Sequence, residues 1–169
     1  MNQLGVYKTV AQALLPKQAT GQAACYDVHA CLMESAKIQV WNEWNEVSFN
    51  TVVEGKLIVH CGERVLVPTG LIFDIPEGFS VRLHPRSGIS IKQGVTLINC
   101  EGVVDSDYYH ETLVALINHS GARFTINHGD RIAQIELVKN EPLQLTELSE
   151  APQARTLRQG GFGSTGLSS

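Results

Sequence analysis

The sequence predicts an all-β fold, as a sandwich, jelly roll or barrel, on three observations. Apolar and polar residues alternate over many short runs, turn residues recur roughly every 8–12 positions, and hardly any stretch sustains a 3.6-residue period. The 169 residues fit one domain, large enough to bury about two thirds of its unfolded surface. A hydrophobic fraction of 43% with 18% charged residues is ordinary for a globular chain. The net charge of −4 argues against a nucleic-acid duplex or an anionic membrane as the main partner, since both select basic faces. No apolar run approaches the roughly 20 residues that span a bilayer. Cys25, Cys31, Cys61 and Cys100 form no C-x-x-C pair and no His-bearing ligand pattern, and the opening residues carry no secretory pattern. Reduced thiols in a cytoplasmic protein (a host cell's cytoplasm, for a viral chain) are the expectation.

Taken in order, residues 1–20 read as an extended arm or first strand. Ala23 to Ala30 alternates as a strand does, broken by Asp27, which is either a capped turn residue or a site residue. Trp41-Asn42-Glu43-Trp44-Asn45-Glu46 is a helical turn or an exposed loop, flanked by strands that Val40, Val47, Phe49, Val52 and Val53 favour. The Trp pair is expected to pack rather than to stack on a base. Lys56–His60 and Arg64–Pro68 are short strands, and Thr69–Gly78 holds another, closed by a Pro-x-Gly turn. Phe79–Leu83 alternates and delivers the chain to Pro85. Ser87 is placed to cap a short helix reaching Gln93.

Gly102 to Glu111 reads as a β-hairpin with a carboxylate and an aromatic ring at its tip. Thr112 to Asn118 is nearly continuous apolar, as expected of a strand buried on both faces. His119-Ser120-Gly121 then turns the chain so that Phe124-Thr125-Ile126 pairs back, and Arg131–Val138 is an alternating strand. From Pro142 the composition shifts to Glu, Gln, Leu and Ala, and from Arg158 to a glycine and hydroxyl cluster that cannot pack a core. The expected organisation is a β domain over 1–154 and a flexible arm over 155–169.

The chemistry gathers between Pro85 and Glu111. Arg86 offers a charged fork for phosphate oxygens, Ser87 a hydroxyl, and Gly88 an open backbone at a helix start. Asp105 follows two valines, where a carboxylate is disfavoured unless it serves a purpose such as activating water. Asp107 suits a turn, and Tyr108 presents a flat face on which a sugar can rest. A phosphate grip beside a carboxylate points to hydrolysis of a phosphate ester or anhydride. In the tail, Phe162 among glycines and hydroxyls has the composition of a closing lid, with Arg158 adding charge.

Five segments together resemble the trimeric deoxyuridine triphosphate nucleotidohydrolases (dUTPases): Ala24-Cys25-Tyr26-Asp27, Pro85-Arg86-Ser87-Gly88, Gly102 through Tyr108, Gly129-Asp130-Arg131-Ile132-Ala133-Gln134, and Arg158 through Gly166. The resemblance implies a jelly-roll-like β subunit with one short helix, a homotrimer with active sites at subunit boundaries, and an arm that closes over a site built largely by other subunits. Its substrate would be dUTP, with no nucleic-acid or membrane partner, and its products dUMP and pyrophosphate.

Carried onto matching positions, Asp105 would deprotonate and aim the water that attacks the α-phosphate, and would hold the sugar 3′-hydroxyl. Tyr108 would pack beneath the deoxyribose. The backbone of Gly102, Val103, Val104 and Leu113, with Asn99 nearby, would read the uracil edge. Arg86, Ser87, Gly88 and Gln134 would hold phosphates, Phe162 would cover the base, and Gly163 with Arg158, Ser164 and Thr165 would close toward the γ-phosphate. Mg2+ would be held chiefly by the triphosphate, with Asp27 reaching it through water.

Departures from the family pattern are Cys25 and His110, each where glycine is usual, an arm one residue tighter between Arg158 and Phe162, and a longer region 34–56. Two other readings accompany these departures. One is a related pyrimidine deoxynucleotide enzyme whose base preference His110 alters, toward hydrolysis of dCTP or a modified dUTP; its dCTP deaminase branch would need a second serine at Gly88 and an acid in Leu113–Ile117. A regulatory module would bind a protein partner through residues 34–56.

Overall fold

The computed structural model describes residues 3–157. In chain order it contains β1 (Gly5–Lys8), β2 (Tyr26–His29), β3 (Lys37–Trp41), β4 (Val47–Thr51), β5 (Lys56–Val59), β6 (Arg64–Pro68), β7 (Leu71–Asp74) and β8 (Phe79–His84). There follow α1 (Ser87–Gln93), β9 (Val95–Leu97), β10 (Gly102–Val104), β11 (Leu113–Asn118), β12 (Phe124–Asn127) and β13 (Arg131–Lys139). The all-β expectation with one short helix therefore holds for the described residues.

Two larger sheets, ordered β10-β8-β13-β2 and β4-β3-β6-β11-β9, are accompanied by the ribbons β1-β7 and β12-β5. All these pairings are antiparallel. Alternation drives the packing: β6 turns Val65 and Val67 inward, β11 Val114 and Leu116, β8 Val81 and Leu83, β13 Ala133 and Ile135, around the buried Phe73, and Ile132 is buried beside the register shift between Arg131 and Ala133. Each such side chain contributes roughly 1.5–3 kcal/mol on leaving water, as an upper figure. Among the described residues no helix is long and apolar enough to cross a membrane. The four cysteines are free thiols, and burial pushes those of Cys25 and Cys31 up.

Several expectations need correction. Gly102 to Glu111 is not a paired hairpin: β10 pairs with β8, while β11 has both edges occupied, by β6 and β9. Residues 105–112 instead cross from one sheet to the other. For the same reason β12 cannot pair back on β11, and it pairs with β5. Nor is β11 buried on both faces, because only one face meets the core; Leu113 is exposed and Ala115 and Ile117 are half-buried. The helix starts one residue early in its cap. Arg86 takes the extended N-cap conformation (φ −96°, ψ 122°), so Ser87 is the first helical residue and, among the described residues, no side chain caps the turn. Gly94, left-handed at φ 66°, ends it.

Trp41–Glu46 is neither helix nor free loop but the end of β3 and the turn into β4. Asn42 Oδ1 accepts from the N–H groups of Trp44 (3.0 Å) and Glu46 (2.9 Å), and Arg64 Nη1 donates to Asn45 Oδ1 at 2.9 Å. Trp44 rides on this turn at 72% exposure, so only Trp41, half-buried, packs as expected.

Candidate active site

The predicted residues fall into two groups. In the first, β8 ends at His84, Pro85 and Arg86 lead into α1, and β13 lies between β8 and β2. Register sets Gln134 opposite both His84 and Asp27. Asp27 is 7% exposed and receives two arginines. Arg86 Nε donates to its Oδ1 at 2.9 Å, and Arg131 Nη1 donates to its Oδ2 at 3.1 Å. Arg86 Nη1 also donates to the Arg131 carbonyl at 3.1 Å, and Gln134 Nε2 to the Pro85 carbonyl at 3.2 Å.

Two of the five N–H groups of Arg86 thus orient the guanidinium, and among the described residues three remain for an anion. Ser87 and Gly88, which follow Arg86, are exposed, and a Cβ on Gly88 would meet nothing within 4 Å among the described residues. Burial lowers the pKa of His29; Asp27 pulls the other way, while Arg131 and Arg86 push it further down. The ring beside the grip is therefore neutral at pH 7. Sequence reading assigned no role to Arg131 or His29. Both enter through cross-strand register with β2, which no spacing along the chain announces.

The second group surrounds a cavity of about 300 Å3. Asn99, Gly102, Val103, Val104, Asp105, Tyr108 and Leu113, all singled out from the sequence, line it together with Leu66, Leu83, Leu97, Thr112 and Ala115. Space is tight at Gly102, where a Cβ would come within 3.1 Å of Leu83 Cβ and 3.4 Å of Asn99 Nδ2. Tyr108 is tied at two points: its N–H donates to the Asp105 carbonyl (3.1 Å) and its hydroxyl to the Glu111 carbonyl (3.2 Å). The His110 ring stands edge-on to it, with centroids 5.5 Å apart. Asp105 is exposed at the rim. A larger groove of about 550 Å3, lined by Leu4, Val6, Leu15, Pro16 and Ile135 among others, is mostly apolar and holds none of the predicted catalytic or binding side chains. The residues singled out from the sequence gather at the smaller cavity instead.

The two groups do not sit side by side in one chain. β10 runs antiparallel to β8 with Val104 opposite Val81, so Asp105 leaves at the Ser80 end while Arg86 lies past His84 at the other. Six residues of extended chain span about 20 Å. Arg158, Phe162, Gly163, Ser164 and Thr165 lie outside the described residues. Before them, residues 141–157 expose Leu143, Leu145, Leu148 and Leu157.

The family model for dUTPase matches residues 36–166. Among curated relatives, the deoxyuridine 5′-triphosphate nucleotidohydrolase of Nautilia profundicola is 37% identical over 166 residues, covering 96% of this chain and 98% of the relative. That of Helicobacter hepaticus is 38% identical over 162 residues, covering 96% and 87%. Among solved structures, a variant dUTPase of Staphylococcus bacteriophage 80alpha with dUpNHpp aligns with TM-score 0.76 at 19% identity, over 99% of this chain and 100% of that one. A variant dUTPase from phage phi11 of S. aureus, described with a structural Mg(II) ion, aligns with TM-score 0.68 at 19% identity, over 88% and 98%.

Proposed function

The chain belongs to the dUTPase family, and on that premise we propose that it hydrolyses dUTP to dUMP and pyrophosphate by attack of water at the α-phosphate. Such an enzyme limits uracil in DNA and supplies dUMP for dTMP synthesis. One observation carries the reading: the residues predicted to read a deoxyuridine converge on a single cavity of about 300 Å3 with the Asp105 carboxylate at its rim. The backbone of Gly102, Val103, Val104 and Leu113 with Asn99 would read the base edge, and Tyr108 would lie under the sugar. Asp105 would take a proton from the attacking water and hold the 3′-hydroxyl.

Arg86, Ser87, Gly88 and Gln134 would hold the phosphates. The separation of about 20 Å between Asp105 and Arg86 supports a site completed by a second copy, hence the homotrimer with sites at subunit boundaries. The exposed leucines of 141–157 support it too, since such side chains seek cover. Residues 155–169 would then form the arm, with Phe162 over the base and Gly163, Arg158, Ser164 and Thr165 closing on the phosphates.

Mg2+ is the cofactor we assign. Among the described residues no group of three or more His, Cys, Asp or Glu could hold a metal, and each oxygen of Asp27 already accepts from an arginine. Those donors fit an ion held chiefly by substrate oxygens, with Asp27 reaching it through water by its remaining lone pairs. When bound, it would neutralise phosphate charge that would otherwise repel the nucleophile.

Deamination is disfavoured because β11 carries no acid and Gly88 stands where that branch has serine. A protein partner of residues 34–56 would meet Trp44, Val47 and Phe49, which are exposed. Deleting that region is not a clean test, because Ile38, Val40 and Val52 belong to the core, so Trp44→Ser serves instead.

The test is a panel of dUTP, dCTP, dTTP and UTP with Mg2+, following pyrophosphate and the base of the monophosphate. dUTP is expected to be cleaved preferentially with its base intact. Asp105→Asn should bind nucleotide yet lose about 10²–10⁴ in turnover, and near-normal rates would remove Asp105 from the base role.

A further inference from the structure

We infer that Glu111 is a positioning residue, whose carboxylate, fixed on the Gly70 N–H, holds Tyr108 where it discriminates deoxyribose from ribose. The inference rests on the nucleotide reading of the cavity given above. Residues 105–112 cross between two sheets and lie outside every strand ladder, with Asp105, Asp107, Tyr108, Tyr109 and His110 exposed. A ring carried on such a crossing keeps its place only through specific ties. The tie at its tip is the Tyr108 hydroxyl, which donates to the Glu111 carbonyl at 3.2 Å. Tyr108 is therefore as well placed as Glu111 itself.

Glu111 is placed firmly. Its Oε1 accepts from the Gly70 N–H at 2.6 Å, a charge-assisted bond to the main chain of another element. Gly70 cannot follow the crossing if it moves. It is left-handed at φ +68°, its carbonyl accepts from Thr9 N–H at 2.8 Å, and a Cβ there would lie 2.6 Å from Ala13 Cβ and 2.9 Å from Cys31 Sγ. The next residue is held from the same turn: Thr112 N–H donates to the Leu71 carbonyl (2.8 Å), and Thr69 Oγ1 donates to the Thr112 carbonyl (2.6 Å). These bonds fix where β11 begins. The Glu111 side chain adds a second anchor, on Gly70, to the residue whose carbonyl holds the tyrosine and whose peptide unit the Thr112 N–H already ties to Leu71. Discrimination against a single extra hydroxyl needs a wall that does not retreat, and a small displacement of that wall is enough to lose it.

The chemistry required at 111 is an acceptor of the right length. A glutamine oxygen can take the Gly70 N–H, an aspartate is one methylene short, and an alanine has no acceptor. We would measure kcat/KM for dUTP and UTP on the full chain for Tyr108→Ala, Glu111→Ala, Glu111→Asp and Glu111→Gln, with a thermal melt of each. The dUTP/UTP preference is expected to fall about tenfold in Glu111→Ala and Glu111→Asp and to survive in Glu111→Gln. Should the alanine protein fail to fold, the aspartate and glutamine variants decide between them. Full preference in Glu111→Asp, or a loss in Glu111→Gln as large as in Glu111→Asp, overturns the inference while Tyr108→Ala still lowers the preference. If Tyr108→Ala leaves it unchanged, the sugar role of the tyrosine falls first and the positioning role with it.

Discussion

Replacing Asp27 with Asn takes the one negative charge from between two arginines, and its cost can be worked from the contacts. Asp27 accepts from Arg86 Nε at 2.9 Å and from Arg131 Nη1 at 3.1 Å. A hydrogen bond to a charged group contributes about 1.5–3 kcal/mol away from water. An exposed ion pair contributes about 0.2–1 kcal/mol. Side-chain exposure is 22% for Arg86 and 51% for Arg131, so the first bond belongs at the low end of the former range and the second in the latter. Together they give about 2 kcal/mol. Asparagine keeps one acceptor but turns an amide N–H2 toward the other guanidinium, so both bonds cannot survive. At fixed protein concentration the melting temperature should fall by about 4–8 °C. The decisive assay is a double-mutant cycle with Arg86→Ala in urea, where coupling of about 1–2 kcal/mol is expected. If the two changes add to within about 0.3 kcal/mol, Asp27 does not hold Arg86 and the account of the grip is wrong.

Two further perturbations bear on the floor of the cavity and its anchor. Thr112 is 2% exposed and its Oγ1 is buried without a hydrogen-bond partner among the described residues. Thr112→Val should therefore stabilise by about 1 kcal/mol and raise the melting temperature by about 2–4 °C, whereas a loss would show that the hydroxyl is bonded. Gly70→Ala combines a left-handed backbone with close approach to Ala13 and Cys31, and should cost about 2–4 kcal/mol, read as a lower urea midpoint at unchanged m. No change would mean that both neighbours step aside freely.

Strand positions were legible because period-2 alternation is local: β6, β8 and β13 lie where Arg64–Pro68, Phe79–Leu83 and Arg131–Val138 place them. Strand partners were not. Which edge β11 leaves open depends on β6 and β9, from distant parts of the chain, and once both take it neither β10 nor β12 can pair there. The same division runs through the candidate site. Arg86-Ser87-Gly88 and the run from Gly102 to Leu113 are each continuous in sequence, so their chemistry could be read from residue types. Arg131, His29 and Glu111 could not, because each gains its role from register or from a turn on another element. Alternation also cannot tell how far apart residues 86 and 105 end, since that depends on β10 folding back along β8.

That folding back has a genetic consequence. On the proposed boundary site, with Asp105 and Arg86 at opposite ends of β8, a working centre would take its acid from one polypeptide and its cation from another. Two alleles, each dead alone, one altered at 105 and the other at 86, would restore a fraction of intact centres when expressed in the same cell. A doubly altered allele mixed with the native one would instead poison more centres than its share of the chains.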